Sequence, residues 1–229
     1  MKTAVIIVAA GKGSRFGGNI PKQFLRLRDL PVLSHSLKKF LDHNSVSLIQ
    51  PVINQDHKNF YLESLNSLKE LKNSKKILPP CLGGAERSLS VKSGLIALLN
   101  HGKNLDNVLI HDAARPLVSK KIIDEVLNHL SNFEAVFPTL PMVDSVWKVK
   151  NNMYQLIKDR QSLIRAQTPQ GFRFSSILDA HLANKESWAF DDIYLANKLG
   201  ISIQQIPGCE TNLKITTIDD LARAERLIT

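Results

Sequence analysis

The residues that end the first apolar run raise the first chemical question. Ala9-Ala10-Gly11-Lys12-Gly13-Ser14-Arg15 is small, glycine-rich and cationic. Loops of this kind hold phosphates. Small residues let backbone N–H groups approach a triphosphate closely, and Arg15 adds a planar, permanently charged fork for its oxygens. Pro21-Lys22-Gln23-Phe24 places a second cation near the same loop. Two familiar phosphate motifs fail at defining positions. Gly11 and Gly13 fit a dinucleotide fingerprint, but its third glycine is replaced by Phe16, and no acidic residue ends an obvious second strand to hold a ribose. Gly13 to Gly18 has P-loop spacing, but Asn19-Ile20 follow it. Alone, the turn would equally serve as a tight passage from strand to helix.

Four further stretches narrow the choice. Gly83-Gly84-Ala85-Glu86-Arg87-Ser88-Leu89-Ser90-Val91 is a second glycine turn opening a helix. His111-Asp112-Ala113-Ala114-Arg115-Pro116 follows an apolar strand, and Asp112 sits where a carboxylate can hold Mg²⁺ directly or through water, or merely cap a loop. Asp159-Arg160 and Gln167-Thr168-Pro169-Gln170-Gly171-Phe172 come next, and Asn212-Leu213-Lys214-Ile215-Thr216 lies near the C-terminus. His111 reads as a satisfied core histidine rather than a catalytic one. No Ser-His-Asp or Cys-His set is present to supply a general base.

Together, A-A-G-x-G-x-R, P-K-Q-F and these four stretches resemble the 2-C-methyl-D-erythritol 4-phosphate cytidylyltransferases of the non-mevalonate isoprenoid pathway. The resemblance covers essentially the whole chain, in the family's motif order. It implies an enzyme that joins CTP to methylerythritol 4-phosphate, with Mg²⁺, and releases pyrophosphate. The chemistry suits the residues. A phosphomonoester has its second pKa near ~6 and is largely dianionic at neutral pH, so it needs no base. The obstacle is one anion approaching another, which cations and positioning must overcome. The resemblance gives Arg15, Lys22 and Lys214 that catalytic role. It assigns CTP binding to Ala9, Ala10, Gly11, Gly13, Gly84, Ala85, Ser90, Asp112 and Ala113, the cytosine preference coming largely from backbone groups. Asp112 is also the implied metal ligand. Arg115, Ser145, Arg160 and Thr168 are the implied sugar-phosphate ligands.

Three positions depart from the family's pattern. Ser145 stands where threonine is usual and keeps the hydroxyl. Ala85 stands where aspartate is common and loses one possible ribose contact. In Ala189-Phe190-Asp191-Asp192, Phe190 replaces the threonine of a Thr-Asp-Asp motif. Two rivals stay open at this point: a cytidylyltransferase for another polyol phosphate such as ribitol 5-phosphate, and a non-catalytic nucleotide- or RNA-binding protein. A passive binder would not need the full set of Arg15, Lys22, Asp112 and Lys214.

Positioning these residues requires strands that end at them. Apolar runs alternate with amphipathic stretches. Strands are predicted at 3–9, 46–53, 77–78, 107–111, 134–140 and 201–206, and helices at 32–43, 56–72, 87–100, 119–131, near 175–184, at 191–199 and at 217–228. In the second of these helices the predicted apolar face is Phe60, Leu62, Leu65, Leu68 and Leu71. Such alternation means an α/β fold: a Rossmann-like, mainly parallel sheet with helices on both faces and ligands at the carboxyl ends of its strands. Residues 142–167 break the rhythm. Two short runs around Asn151-Asn152 predict a protruding β-hairpin whose Val146, Trp147, Tyr154 and Leu156 need cover, from its own domain or from a partner. In the resembling family that arm crosses a homodimer and helps build the neighbouring active site. The expected organisation is one nucleotidyltransferase domain over 1–229 with a dimerisation arm.

The totals agree. A chain of 229 residues with 43% hydrophobic and 22% charged residues is ordinary for a soluble domain with a sizeable core. Its apolar runs fall short of a bilayer span, so no membrane partner is expected. Two cysteines without CxxC spacing suit reduced thiols in a cytoplasmic protein. The formal charge of +9 suits phosphorylated substrates or another polyanion. Its dispersal, without an aromatic stacking platform, argues against nucleic acid. The densest patch, Lys69 to Lys76, reads as a solvated helix end. Several members of the resembling family are fused to a cyclodiphosphate synthase. Ending just after the last predicted helix, the chain suits either a complete transferase or one half of such a fusion, with the synthase as partner.

Overall fold

The computed structural model describes residues 1–13, 16, 20–68, 74–186, 189 and 191–228. Arg15 and Phe190 lie outside the described residues, as do 69–73 of the basic patch and of the second predicted helix. The strands are β1 (Thr3–Ala9), β2 (Arg26–Leu27), β3 (Leu30–Pro31), β4 (Val46–Ile53), β5 (Cys81–Leu82), β6 (Asn107–Asp112), β7 (Ala135–Pro141), β8 (Trp147–Lys150), β9 (Met153–Leu156), β10 (Ile164–Ala166), β11 (Gln170–Arg173) and β12 (Ile203–Pro207). The helices are α1 (Val32–Leu41), α2 (Lys58–Asn66), α3 (Arg87–Asn100), α4 (Lys120–His129), α5 (Phe174–Ala183), α6 (Asp192–Lys198) and α7 (Ile218–Leu227).

An unbroken apolar strand needs neighbours on both edges and cover on both faces, and β1 has them. It pairs in parallel with β4 and with β6. Its side chains alternate between two cores. Val5 and Ile7 join Leu37, Phe40, Ile123 and Val126 of α1 and α4, while Ala4 and Ile6 join Val91, Leu95 and Ile177 of α3 and α5. Each fully buried aliphatic side chain stabilises the fold by about 1.5–3 kcal/mol. The sheet runs β10-β7-β11-β6-β1-β4-β5, with β12 also on β7.

The α/β reading holds, with two corrections. The short strand expected at 77–78 is an isolated bridge from Ile77 to Ile49, and the paired strand falls after the prolines, at β5. Two further strands make the sheet mixed, β11 antiparallel to β6 and β7 and β10 antiparallel to β7, so the last residues of the stretch expected as the arm belong to the main sheet. The face of α2 also differs in part: Leu68 is buried as expected, but Tyr61 is buried and Leu62 is exposed. Lys76, in the patch read as solvated, donates to the Leu41 and His43 carbonyls at 3.2 and 3.1 Å. There it caps the end of α1, where a cation is favoured.

β8 and β9 form the separate hairpin. Asn151 and Asn152 both have positive φ, 49° and 59°, as the tight turn that suits a twisted hairpin demands. Register puts Trp147 opposite Leu156 and Val149 opposite Tyr154, so one face of the arm is apolar. All four side chains are exposed.

Candidate active site

A cleft of about 760 Å³ opens where β1, β4 and β6 end, lined by residues such as Ala9, Asn54 and Asp112. This is the carboxyl edge at which α/β sheets bind ligands. One wall is the first glycine turn. Gln23, buried, donates through Nε2 to the carbonyls of Ala9 and Gly11 at 2.8 and 2.7 Å. The 3-10 turn Lys22–Phe24 buries Gln23 and Phe24, while Lys22 lines the cleft. Ala10 and Gly11 line it too, whereas Gly13 lies outside it and turns the chain at φ +69°.

The opposite wall is the second glycine turn and the start of α3. Ser90 Oγ accepts from the Gly84 N–H at 3.2 Å and donates to the Glu86 carbonyl at 3.1 Å, which fixes the turn. A Cβ on Gly83 would sit 2.4 Å from Ala10 Cβ and 2.7 Å from Ser90 Oγ. The two turns therefore meet at a distance only glycine permits. Gly84, Ala85 and Ser90 line this wall, as expected.

Asp112 forms the floor. Its Oδ2 accepts from Lys214 Nζ at 2.7 Å and its Oδ1 from Arg87 Nε at 3.0 Å. Burial opposes ionisation, but Arg87, Lys214 and Arg115 outweigh it and hold the carboxyl well below the usual range. Lys214 is presented between two buried neighbours, Leu213 and Ile215, which pack with α7, and the Ile215 N–H bonds the Ala114 carbonyl at 2.8 Å. Ala113 lines the cleft, and its own N–H extends the sheet to the Val8 carbonyl at 3.1 Å.

Thr168 and Arg115 lie beneath the floor rather than among its lining residues. The Asp112 N–H donates to Thr168 Oγ1 at 3.2 Å, and Oγ1 lies 3.0 Å from His111 Nδ1. His111 Nε2 lies 3.1 Å from the Arg115 carbonyl. A carbonyl can only accept, so Nε2 carries the proton and Nδ1 receives the threonine hydroxyl. Burial pushes the His111 pKa down to about 4, which fits this neutral ring and the reading of a satisfied core histidine. Arg115 is buried and donates through Nη1 to the Asn212 carbonyl at 2.7 Å, bracing the segment that carries Lys214. Ser145 and Arg160 are exposed and line a separate cavity of about 330 Å³ on the arm, which shares no lining residue with the cleft.

The structure thus gathers Lys22, Lys214, Asp112 and both glycine turns, and it sets the four sugar-phosphate candidates apart. It also adds two residues that sequence reasoning passed over. Gln23 sits inside the quoted P-K-Q-F, between Lys22 and Phe24, and nothing in that pattern set it apart from a solvated side chain. Arg87 sits inside the quoted G-G-A-E-R-S, a further cation at a helix start. Among the described residues no group of three or more His, Cys, Asp or Glu could hold a metal. One carboxylate suffices where substrate phosphates and water complete a Mg²⁺ shell, so Asp112 fits that use.

A family model described as "IspD: 2-C-methyl-D-erythritol 4-phosphate cytidylyltransferase" matches residues 3–229. A 2-C-methyl-D-erythritol 4-phosphate cytidylyltransferase of Cereibacter sphaeroides is 41% identical over 228 residues, which cover 100% of this chain and 97% of that one. A bifunctional enzyme IspD/IspF of Rhodospirillum rubrum is 41% identical over 226 residues, 99% of this chain, and the chain spans only 57% of that relative's length. The crystal structure of the Francisella tularensis 2-C-methyl-D-erythritol 4-phosphate cytidylyltransferase matches with a TM-score of 0.81 at 30% identity, covering 100% of both chains.

Proposed function

The chain belongs to the 2-C-methyl-D-erythritol 4-phosphate cytidylyltransferase family, and from that premise we propose that it transfers a cytidylyl group from CTP to 2-C-methyl-D-erythritol 4-phosphate. A phosphate oxygen of the acceptor attacks the α-phosphorus of CTP. A new P–O bond forms, the bond from the α-phosphorus to the β-phosphate bridging oxygen breaks, and pyrophosphate leaves with that electron pair. The carrying observation is that Lys22 and Lys214 both line a cleft walled by two glycine turns. Those turns admit a triphosphate to backbone distance, and the two ammonium groups offset the charge that builds between nucleophile and leaving group. Arg15, beside the first turn in sequence, is the third cation of this reading.

Mg²⁺ is the proposed cofactor, with Asp112 as its protein ligand; such an ion neutralises phosphate charge. The arm supplies Ser145 and Arg160 toward the acceptor phosphate, and its exposed apolar face supports a homodimer in which the arm reaches a neighbouring cleft. Thr168 and Arg115 serve the acceptor side from beneath the floor. Relatives in which this unit is joined to another support a cyclodiphosphate synthase as a fused or separate companion. Among the described residues no helix is long and apolar enough to cross a membrane. Two unbridged cysteines support work in the cytoplasm.

The test is pyrophosphate release from CTP and Mg²⁺, with methylerythritol 4-phosphate and ribitol 5-phosphate as separate acceptors. Release with the first alone is expected. Release with ribitol 5-phosphate alone would move the chain to a sister specificity, and release with neither would overturn transfer.

A further inference from the structure

The acidic pair Asp191-Asp192 is not among the cleft's lining residues. Asp191 caps α6, accepting the Tyr194 N–H at 2.8 Å, and takes the Gln170 amide at 3.1 Å. Asp192 is 1% exposed. Its Oδ1 accepts from His181 Nε2 at 3.1 Å, its Oδ2 accepts from Arg87 Nη1 at 2.8 Å, and its backbone N–H bonds Gln170 Oε1 at 3.1 Å. His181 on the carboxylate and Gln170 on the backbone thus fix Asp192 where it meets Arg87. A carboxylate so deeply buried is costly unless paired.

Lys214, Asp112, Arg87 and Asp192 therefore form a row of alternating charge from the cleft into the interior. The successive separations are 2.7, 3.0 and 2.8 Å. The outer end is the more open, since the Lys214 side chain is 36% exposed and that of Asp192 1%. Lys214 is bonded to Asp112, yet its proposed work is on phosphate. When a phosphate draws it away, Arg87 is the remaining side chain ion-paired to Asp112, and its fork is aimed by Asp192. Burial disfavours the charge on Arg87, but Asp192 and Asp112 hold it protonated.

We propose that Asp192 is a positioning residue for the transfer reaction: by anchoring Arg87 it holds the Asp112 carboxylate in place while Lys214 changes partner. The proposal rests on the cytidylyl-transfer reading above and gives the second aspartate of the Asp-Asp motif a role that touches no substrate.

A double-mutant cycle tests it, with kcat, KM for CTP and Tm measured on the wild type, Arg87→Met, Asp192→Asn and the double variant. Arg87→Met is expected to lower kcat/KM by roughly 100-fold and Asp192→Asn by roughly tenfold, both mainly in kcat, and the double variant should fall no further than Arg87→Met. Losses that multiply would overturn the proposal, because Asp192 would then act by another route. Should Asp192→Asn not fold, Arg87→Lys decides. Lysine keeps the charge but lacks the planar fork by which Arg87 meets Asp112 and Asp192 through separate nitrogens, so a loss like that of Arg87→Met supports the proposal and near-normal turnover overturns it. An inactive wild type removes the transfer reading and this inference together, whereas an active wild type with multiplying losses removes only the inference.

Discussion

Two side chains with ordinary surroundings separate charge from scaffolding in this site. Lys22 lines the cleft at the start of the turn that buries Gln23 and Phe24. Lys22→Ala is expected to lower kcat by about 10²–10³, the effect of deleting one group aimed at developing phosphate charge, while Tm changes little. Pyrophosphate release together with a melting curve checks both halves, and near-normal turnover would end the charge-neutralisation account. Thr168 is the opposite case. Its buried hydroxyl joins the Asp112 backbone to His111. Thr168→Val leaves a buried N–H and a ring nitrogen without partners, which costs about 1–3 kcal/mol, and Thr168→Ser restores most of it. Urea denaturation of the two variants reads that difference. If Thr168 also meets the acceptor, as the family resemblance implies, the valine variant raises KM for the sugar phosphate as well. At this scale the sequence displayed the exposed cations and glycines plainly. It could not display that Arg115 and Thr168 sit under the floor, because that depends on which side of β6 and β11 the chain passes.

At the scale of elements, the cleft is a consequence of two turns that touch. Gly83 admits Ala10 and Ser90 at distances no Cβ tolerates. Gly83→Ala is expected to force the turns apart, with a destabilisation of about 1–3 kcal/mol and roughly tenfold weaker CTP binding. Calorimetric titration with CTP checks the second figure, and unchanged binding would show that the close approach serves packing alone. The same elements show where sequence reasoning succeeded. β1, β4, β6 and the core of α1 and α3 fall where apolar periodicity put them, because burial on both faces or on one stripe writes itself into composition. β11 did not, since four residues that include a glycine and follow a proline carry no period. Its antiparallel direction is set by tertiary pairing with β6 and β7. Tyr61 takes the buried place expected of Leu62 because the buried stripe of α2 runs through Tyr61 and Ser64, one turn apart, with Phe60 and Leu65 packed beside it, and Leu62 falls just outside that stripe.

The whole molecule leaves one surface unexplained by its own fold. The arm's apolar face, Trp147, Val149, Tyr154 and Leu156, is exposed on a two-stranded hairpin that belongs to a sheet of its own. An isolated hairpin of this size is only marginally stable in water, and an exposed apolar patch on a strand pair invites a partner. The arm also carries Ser145 and Arg160, set apart from the cleft they are proposed to serve. The proposed homodimer would reconcile these facts: a second copy would cover the face, order the hairpin and bring the arm's polar groups to a cleft other than its own. Sedimentation at micromolar concentration should therefore report twice 25.6 kDa. Trp147→Lys combined with Tyr154→Lys should give the monomer, with the CTP cleft intact and the methylerythritol phosphate KM raised by tenfold or more, since the acceptor side loses its borrowed groups. A wild type that sediments as a monomer, or a monomeric variant with unchanged acceptor KM, would show that the arm folds and functions alone.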